Sequence, residues 1–185
     1  MKIETERLML REYKNKDAEK IVSKINNLEV SKYLAMVPHP YLLKDAEWFI
    51  EDCLKSSKKN SRKKYEMAIT SKESGELMGG AGLSNVDTHV GSAELGYWLG
   101  EDYWRQGFMN EVVSALIDFA FEDLKLNRVI IPAYVPNMGS NGLAKKLGFT
   151  LEGTTRESAR PKSTGKIHDT NHWGLLKKEW KNGKD

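Results

Sequence analysis

The chain has 185 residues, 29 Lys and Arg against 26 Asp and Glu (formal charge +3), and 39% hydrophobic residues. That length and balance predict one globular domain over residues 1–185, and so small a charge makes no case for nucleic acid and is compatible with an anionic cofactor. A single cysteine excludes an internal disulfide; the charged opening MKIETERLMLRE has no apolar signal core and no run reaches the ~18 residues of a membrane span, so the expected setting is cytoplasmic.

Glu4–Tyr13 alternates enough, through Leu8 and Leu10, to predict a first strand. Asp17–Leu28 and Asp45–Lys55 carry apolar residues at helical spacing, the second with Trp48, Phe49, Ile50 and Leu54 on one side. Cys53 falls on that pattern and reads as a buried structural thiol. Lys55–Lys64 is nearly all Lys, Ser, Arg and Asn and reads as a solvated loop. Tyr65–Thr70, Ser71–Gly75 and Leu77–Leu83 follow as strand, turn and strand, and Asp87–Gly91 turns the chain into another strand ending at Leu99.

A short aromatic and glycine loop, Gly100–Gly107, then opens at once into a helix with Val112, Ala115, Leu116, Phe119 and Ala120 on its core face. Arg128–Val135 is a β-branched run in which Pro132 predicts fraying or splaying, because proline cannot donate to a ladder. Ser140–Leu147 is a short helix stopped by Gly148, and Phe149–Thr155 and His168–Leu176 are the last strands. This order implies an α+β fold: a mixed, mostly antiparallel sheet with helices on both faces.

Three patterns are rejected as sites. Gly148–Thr155 has the glycine spacing of a P-loop but lacks its lysine and follows a helix. Gly79, Gly80 and Gly82 lie inside a strand and mark a bulge or close packing. His168 and His172 share a strand face without a third ligand, so no metal is implied.

The stretch Glu94–Val112, ELGYWLGEDYWRQGFMNEV, is different. A strand, a loop and a helix N-terminus grip an anion, because the first N–H groups of a helix lack internal partners and the dipole there is positive. Gly107 lets the backbone approach a phosphate with no Cβ in the way. Downstream stands Asn137-Met-Gly-Ser140-Asn-Gly-Leu-Ala-Lys-Lys-Leu147-Gly148-Phe149. With TERLMLRE, AELGYWL, LNRV, LEG and a closing LLKKEW, these segments resemble the GNAT acyl-CoA N-acetyltransferase superfamily, in the branch of the RimJ and RimL ribosomal-protein N-terminal acetyltransferases.

The resemblance implies a GNAT-type splayed sheet holding acetyl-CoA as co-substrate in the gap. Backbone amides of Trp104, Arg105, Gln106, Gly107, Phe108 and Met109 would hold its pyrophosphate, and an amide near Trp98 or Leu99 would polarise the thioester carbonyl. Trp104 and Met109 depart from the usual Gln/Arg and Gly/Ala of the loop, which backbone donors tolerate. Asn137 and Ser140 match the Asn and Ser before the family's last helix, and Ser140 would protonate the departing thiolate; both are also ordinary helix N-cap types. Leu147, Gly148 and Phe149 read as packing and capping. A homodimer is an analogy with this branch.

For the base, Glu94 stands in the strand facing the proposed cleft, and His168 is a second candidate. RimL-like members carry a glutamate several residues past LEG, where this chain has Ala159, with Glu157 two residues earlier. Glu111, in the first helical turn, reads as a dipole partner. The expected activity is acetyl transfer to a primary amine by direct attack, the acceptor being a protein N-terminus. The alternatives are a small amine (polyamine, amino acid or amine antibiotic) and a CoA-binding regulatory module without catalysis. The basic segment Arg156–Lys166 is expected to border the acceptor and to disfavour cationic polyamines. No nucleic-acid or membrane partner is expected.

Overall fold

The computed structural model describes residues 1–180. Its eight strands form one sheet in the order β1-β2-β3-β4-β5-β6-β8-β7. The strands are β1 (Lys2–Glu4), β2 (Leu8–Arg11), β3 (Tyr65–Ser71), β4 (Leu77–Asp87), β5 (Ser92–Leu99), β6 (Arg128–Tyr134), β7 (Thr150–Ala159) and β8 (His168–Leu176). The helices are α1 (Ala18–Ile25), α2 (Leu28–Ser31), α3 (Leu43–Ser57), α4 (Phe108–Asp118) and α5 (Met138–Lys146). Only β5 and β6 are parallel.

Alternation along the strands gives the sheet two apolar faces. On one, Met67, Ile69, Ala81, Leu83, Leu95 and Leu99 pack against Val112, Val113, Leu116 and Ile117 of α4 and Ala144 of α5. On the other, Ala68 and Leu77 pack with Tyr13 against Ile21 and Ile25 of α1 and Ala46, Ile50 and Cys53 of α3. Helices therefore cover both faces, as expected.

Two predicted elements are each broken in two. The first strand folds back after Glu4, because Thr5 closes a turn on Leu8: Thr5 N donates to Leu8 O at 3.0 Å and Leu8 N to Thr5 Oγ1 at 3.1 Å. The helix predicted over Asp17–Leu28 stops at Ile25. Asn26 Oδ1 accepts from Tyr41 N (3.0 Å), and Asn27 caps α2 by accepting from Glu29 N (2.8 Å). Asparagine amides here outcompete the helical ladder.

Pro132 has the effect its chemistry dictates, on one side only. β6 pairs with β8 along its whole length, Arg128↔Leu176 to Tyr134↔Thr170, so it is not frayed. Against β5 it pairs only over Ser92↔Arg128 to Glu94↔Ile130 and then parts. Val135 N donates to Asp169 O at 2.9 Å, just past β8's partner strand end, so amides at odd positions of β6 face β8 and those at even positions face β5. The missing N–H of Pro132 is on the β5 side, where the sheet opens.

The glycines of β4 mark close packing. A Cβ on Gly80 would lie 2.7 Å from Trp98 Nε1 and clash with the Tyr13 hydroxyl. The register also slips between Ile69 and Thr70, opposite this stretch. Cys53 is buried, and burial pushes its thiol up to about 12.

Candidate active site

The loop between β5 and α4 is anchored at both ends. Tyr103 N and Trp104 N donate to Gly100 O and Glu101 O (3.0 and 3.1 Å), and the Trp104 indole donates to Leu99 O at 2.9 Å. The Trp104 amide is thus already engaged, and its side chain ties the loop to the end of β5. Arg105 (φ 60) and Gly107 (φ 80) are both left-handed. A non-glycine residue there costs about 1–2 kcal/mol and persists where surroundings enforce it.

The N–H groups of Arg105, Gln106, Gly107, Phe108, Met109 and Asn110 make no hydrogen bond among the described residues. Such a run of free amides at a helix N-terminus is an anion cradle. Arg7 supports it from the β1–β2 turn. Its NH1 donates to Gln106 O (3.0 Å), turning that carbonyl aside, its Nε meets Glu111 Oε2 at 2.8 Å, and its guanidinium stacks on Phe108 with Cζ 4.3 Å from the ring centroid. Glu111 also accepts from the Thr5 hydroxyl and from Arg7 N (2.8 Å). These bonds outweigh burial and hold its carboxyl below the usual range. Met109, bulky for its position, packs inward against the core.

Beside the loop, β5 has a free edge from Leu95 to Leu99. Gly100 N donates to Met78 O at 2.9 Å, so Trp98 and Gly96, in step with it, direct their amides to β4. The amides of Tyr97 and Leu99 point into the gap. Of the two positions considered for carbonyl polarisation, Leu99 has this orientation; the Trp98 side chain packs on the α1/α3 face.

Across the gap, Asn137 caps α5 by accepting from Ser140 N at 3.2 Å. Ser140 Oγ lies 2.8 Å from the Tyr97 hydroxyl. Tyr97 was not singled out from the sequence; its signal is the alternation that places it with Leu95 and Leu99 on the α4/α5 face. Burial pushes its hydroxyl up to about 12, opposed by the Ser140 bond. Asn141 holds this corner together. Its Nδ2 donates to Tyr134 O (2.9 Å) and Asn137 O (2.8 Å), and its Oδ1 accepts from Asn171 Nδ2 and Trp173 Nε1, both at 2.8 Å.

Glu94 lies on the opposite, α1/α3 face, paired to Ser84 and Ile130 where the sheet is still closed on both sides. His168 is stacked on Tyr134 (centroids 5.5 Å, 17°) with Tyr33 edge-on at 6.3 Å. On the α1/α3 face a cleft of about 140 Å³ is walled by Ile21, Ile25, Leu34, Val37, Phe49 and Trp98, with Glu66 and Gly96 on its floor. The basic segment after β7 docks beside it: Lys162 N donates to Ala35 O (3.1 Å) and the Ser163 hydroxyl to Ser31 O (3.0 Å). No group of His, Cys, Asp and Glu suited to a metal occurs among the described residues, and no described helix is long and apolar enough to cross a membrane.

An anion cradle beside a splayed parallel pair is the arrangement that the resemblance implied. The profile of the GNAT acetyltransferase domain matches residues 7–150. The chain belongs to the GNAT acetyltransferase family. It is 33% identical over 178 residues to an uncharacterized N-acetyltransferase, p20, of Bacillus licheniformis, covering 95% of this chain and 96% of that one. It is 34% identical over 83 residues, 45% of this chain and 46% of the other, to a ribosomal-protein-serine acetyltransferase of Escherichia coli K12. The GNAT acetyltransferase structure from Bacillus anthracis shares its fold, with a TM-score of 0.81 at 21% identity over 97% of this chain and 100% of that one. So does RimL, a ribosomal L7/L12 alpha-N-protein acetyltransferase solved with coenzyme A, with a TM-score of 0.82 at 21% identity over 95% and 98%.

The protein is thus an acetyl-CoA-dependent N-acetyltransferase. The residues present fit the co-substrate: free amides from Arg105 to Asn110 suit a diphosphate, and the gap between β5 and β6 suits the chain that carries the thioester.

Proposed function

We propose that this N-acetyltransferase acts on protein N-terminal α-amines, with ribosomal proteins as the first acceptors to test. The carrying observation is the Tyr97–Ser140 pair, which joins β5 to α5 beside the free Leu99 amide, with an apolar cleft opening on the other face of β5. Acetyl-CoA bound there supplies an activated acyl group. The Leu99 amide would donate to its carbonyl oxygen and the amine would attack from the cleft; as the C–N bond forms and the C–S bond breaks, the Ser140 hydroxyl would protonate the leaving sulfur and the proton shed by the nitrogen would restore the serine.

An α-amine asks little of such a site. With a pKa near ~8 it is about a tenth neutral at pH 7, so deprotonation costs roughly 1.4 kcal/mol, against ~4.6 kcal/mol for a lysine near ~10.4. Two carboxylates, Glu94 and Glu66, stand on the acceptor face to take that proton. The E. coli relative that carries a ribosomal-protein-serine name supports the choice of acceptor.

Calorimetric titration with acetyl-CoA, followed by thiol release with a series of N-terminal peptides and small amines, tests the reading. Binding with release on peptides is expected. Release on small amines alone moves the acceptor to that class, binding without turnover on any amine makes the protein a regulatory module, and no binding overturns the proposal.

A further inference from the structure

Glu66, Gly82 and Gly96 form one row across β3, β4 and β5, since Glu66 pairs with Gly82 and Gly82 with Gly96. All three lie on the α1/α3 face, and two of them are bare. A Cβ on Gly82 would clash with the Tyr65 carbonyl and sit 2.8 Å from Glu66 Oε2, so the carboxylate leans over the bare position on β4, and it borders the same cleft as Gly96. A Cβ on Gly96 would meet nothing within 4 Å, and Gly96 is exposed although it lies in a central strand.

Carboxylate, bare floor and open position are therefore in line. The row leads to the strand whose far edge borders the gap. Strands lie roughly 4.8 Å apart, so Gly96 is about 10 Å from the Glu66 backbone, and the leaning carboxylate spans about half of that. One amine-bearing group fits the remainder. The walls over it are apolar, and the Glu66 side chain makes no hydrogen bond or ion pair among the described residues; Lys64, bonded to Asp52, is the cation near enough to act on it. A carboxylate in largely apolar surroundings with no hydrogen bond of its own is costly, and such groups concentrate at functional sites.

Resting on the transferase reading above, we propose that Glu66 is the general base, receiving the acceptor's primary ammonium over Gly96 and removing its proton. One N–H bond breaks and one O–H bond forms on the carboxylate. The nitrogen keeps the electron pair it then directs at the acyl carbon. Apolar walls favour the resulting neutral amine and neutral acid over the ion pair. Burial already raises the Glu66 carboxyl above its ordinary range; Lys64 opposes that rise and Asp52 adds to it. Tyr13 and Cys53, the other titratable neighbours of Glu66, are both held neutral by burial. Glu94 is less well placed, because it stands where β5 is still paired on both sides. The acceptor class that fits is a primary amine, cationic at neutral pH, on a small or apolar residue.

The test compares wild type with Glu66→Gln, an isosteric change at a side chain with no hydrogen bond to lose, using a cationic peptide N-terminus and an aryl hydrazide that is neutral at pH 7. With the peptide, kcat/KM should fall by ~10²-fold or more and lose its rise with pH between 5 and 8. With the hydrazide it should change by less than about 3-fold, and acetyl-CoA affinity should hold. Gly96→Val, which enters open space, should fold normally and raise the peptide KM about 10-fold or more. An unchanged peptide kcat/KM and pH profile in Glu66→Gln, an equal fall on both acceptors, or an unchanged KM in Gly96→Val would overturn the proposal. Failure of the transferase reading looks different: wild type would release no thiol with either acceptor.

Discussion

The hydroxyls of Tyr97 and Ser140 lie 2.8 Å apart, one on the strand beside the gap and the other in the first turn of α5. Because burial pushes Tyr97 up to about 12, it stays protonated at neutral pH and can donate to Ser140 Oγ, leaving the serine proton free for the sulfur. Ser140→Ala should lower kcat by ~10²-fold with little change in acetyl-CoA affinity. Tyr97→Phe should lower it by about 10-fold, the value of one hydrogen bond. Steady-state kinetics decide. An unchanged kcat in Ser140→Ala reduces that residue to part of the α5 cap.

The loop before α4, which we propose holds the diphosphate, is braced by the N-terminal hairpin. Arg7→Met removes the donor to Gln106 O and the partner of Glu111, while keeping much of the stem that covers Phe108. We expect acetyl-CoA Kd to rise about 10-fold, equivalent to ~1.4 kcal/mol. Because the ion pair is half exposed, global stability should move little. Gly107→Ala should add a backbone cost of about 1–2 kcal/mol at φ 80 and weaken binding too. Titration calorimetry on both variants checks this, and unaltered affinity in both would remove the loop from cofactor binding.

Asn141 ties α5 to β6 and β8 through donors and acceptors that are all used. Asn141→Leu strands the Trp173 indole and the Tyr134 carbonyl. It should destabilise the protein by about 2–4 kcal/mol, read as a lower urea midpoint. A shift below 0.5 kcal/mol would show that solvent replaces these partners.

Alkaline stability follows from buried neutral acids. Cys53 is pushed from 9.0 to about 12, and Tyr41 and Tyr97 from 10.0 to about 12, chiefly by burial. Unfolding exposes each to its ordinary value, so above pH 9 the unfolded chain sheds protons that the folded one keeps. Stability should be full below pH 9 and fall as pH rises toward 12. Urea midpoints at pH 8, 9.5 and 11 measure the decline. Cys53→Ala should flatten its first part, between pH 9 and 10. A midpoint that is level across this range would show that these groups are not buried in solution. The same burial makes the thiol slow toward disulfide reagents until the protein unfolds.

Local features of the site were readable from the sequence. The cradle from Arg105 to Met109 lies in one continuous run of strand, loop and helix start, and the α5 cap is an Asn and a Ser three residues apart, so each is announced by its own neighbours. The splay was legible through Pro132, although not the side on which it acts; that depends on which amides of β6 face β8. Tyr97 and Glu66 were missed for a related reason. Their proposed roles depend on elements brought together by the fold: Tyr97 needs the position of α5, and Glu66 needs two glycines on two other strands. The broken first strand and first helix were missed because Thr5, Asn26 and Asn27 act through side-chain bonds to specific backbone groups, which apolar periodicity does not register.

The proline in β6 has a consequence for how a ligand enters. A wedge between strands is ordinarily held open against the tendency of facing amides and carbonyls to zip together. Here one of the teeth is chemically absent, so the slot exists before anything occupies it. Little of the binding free energy then goes into prising the sheet apart, and association should be a simple one-step process whose rate scales linearly with ligand concentration.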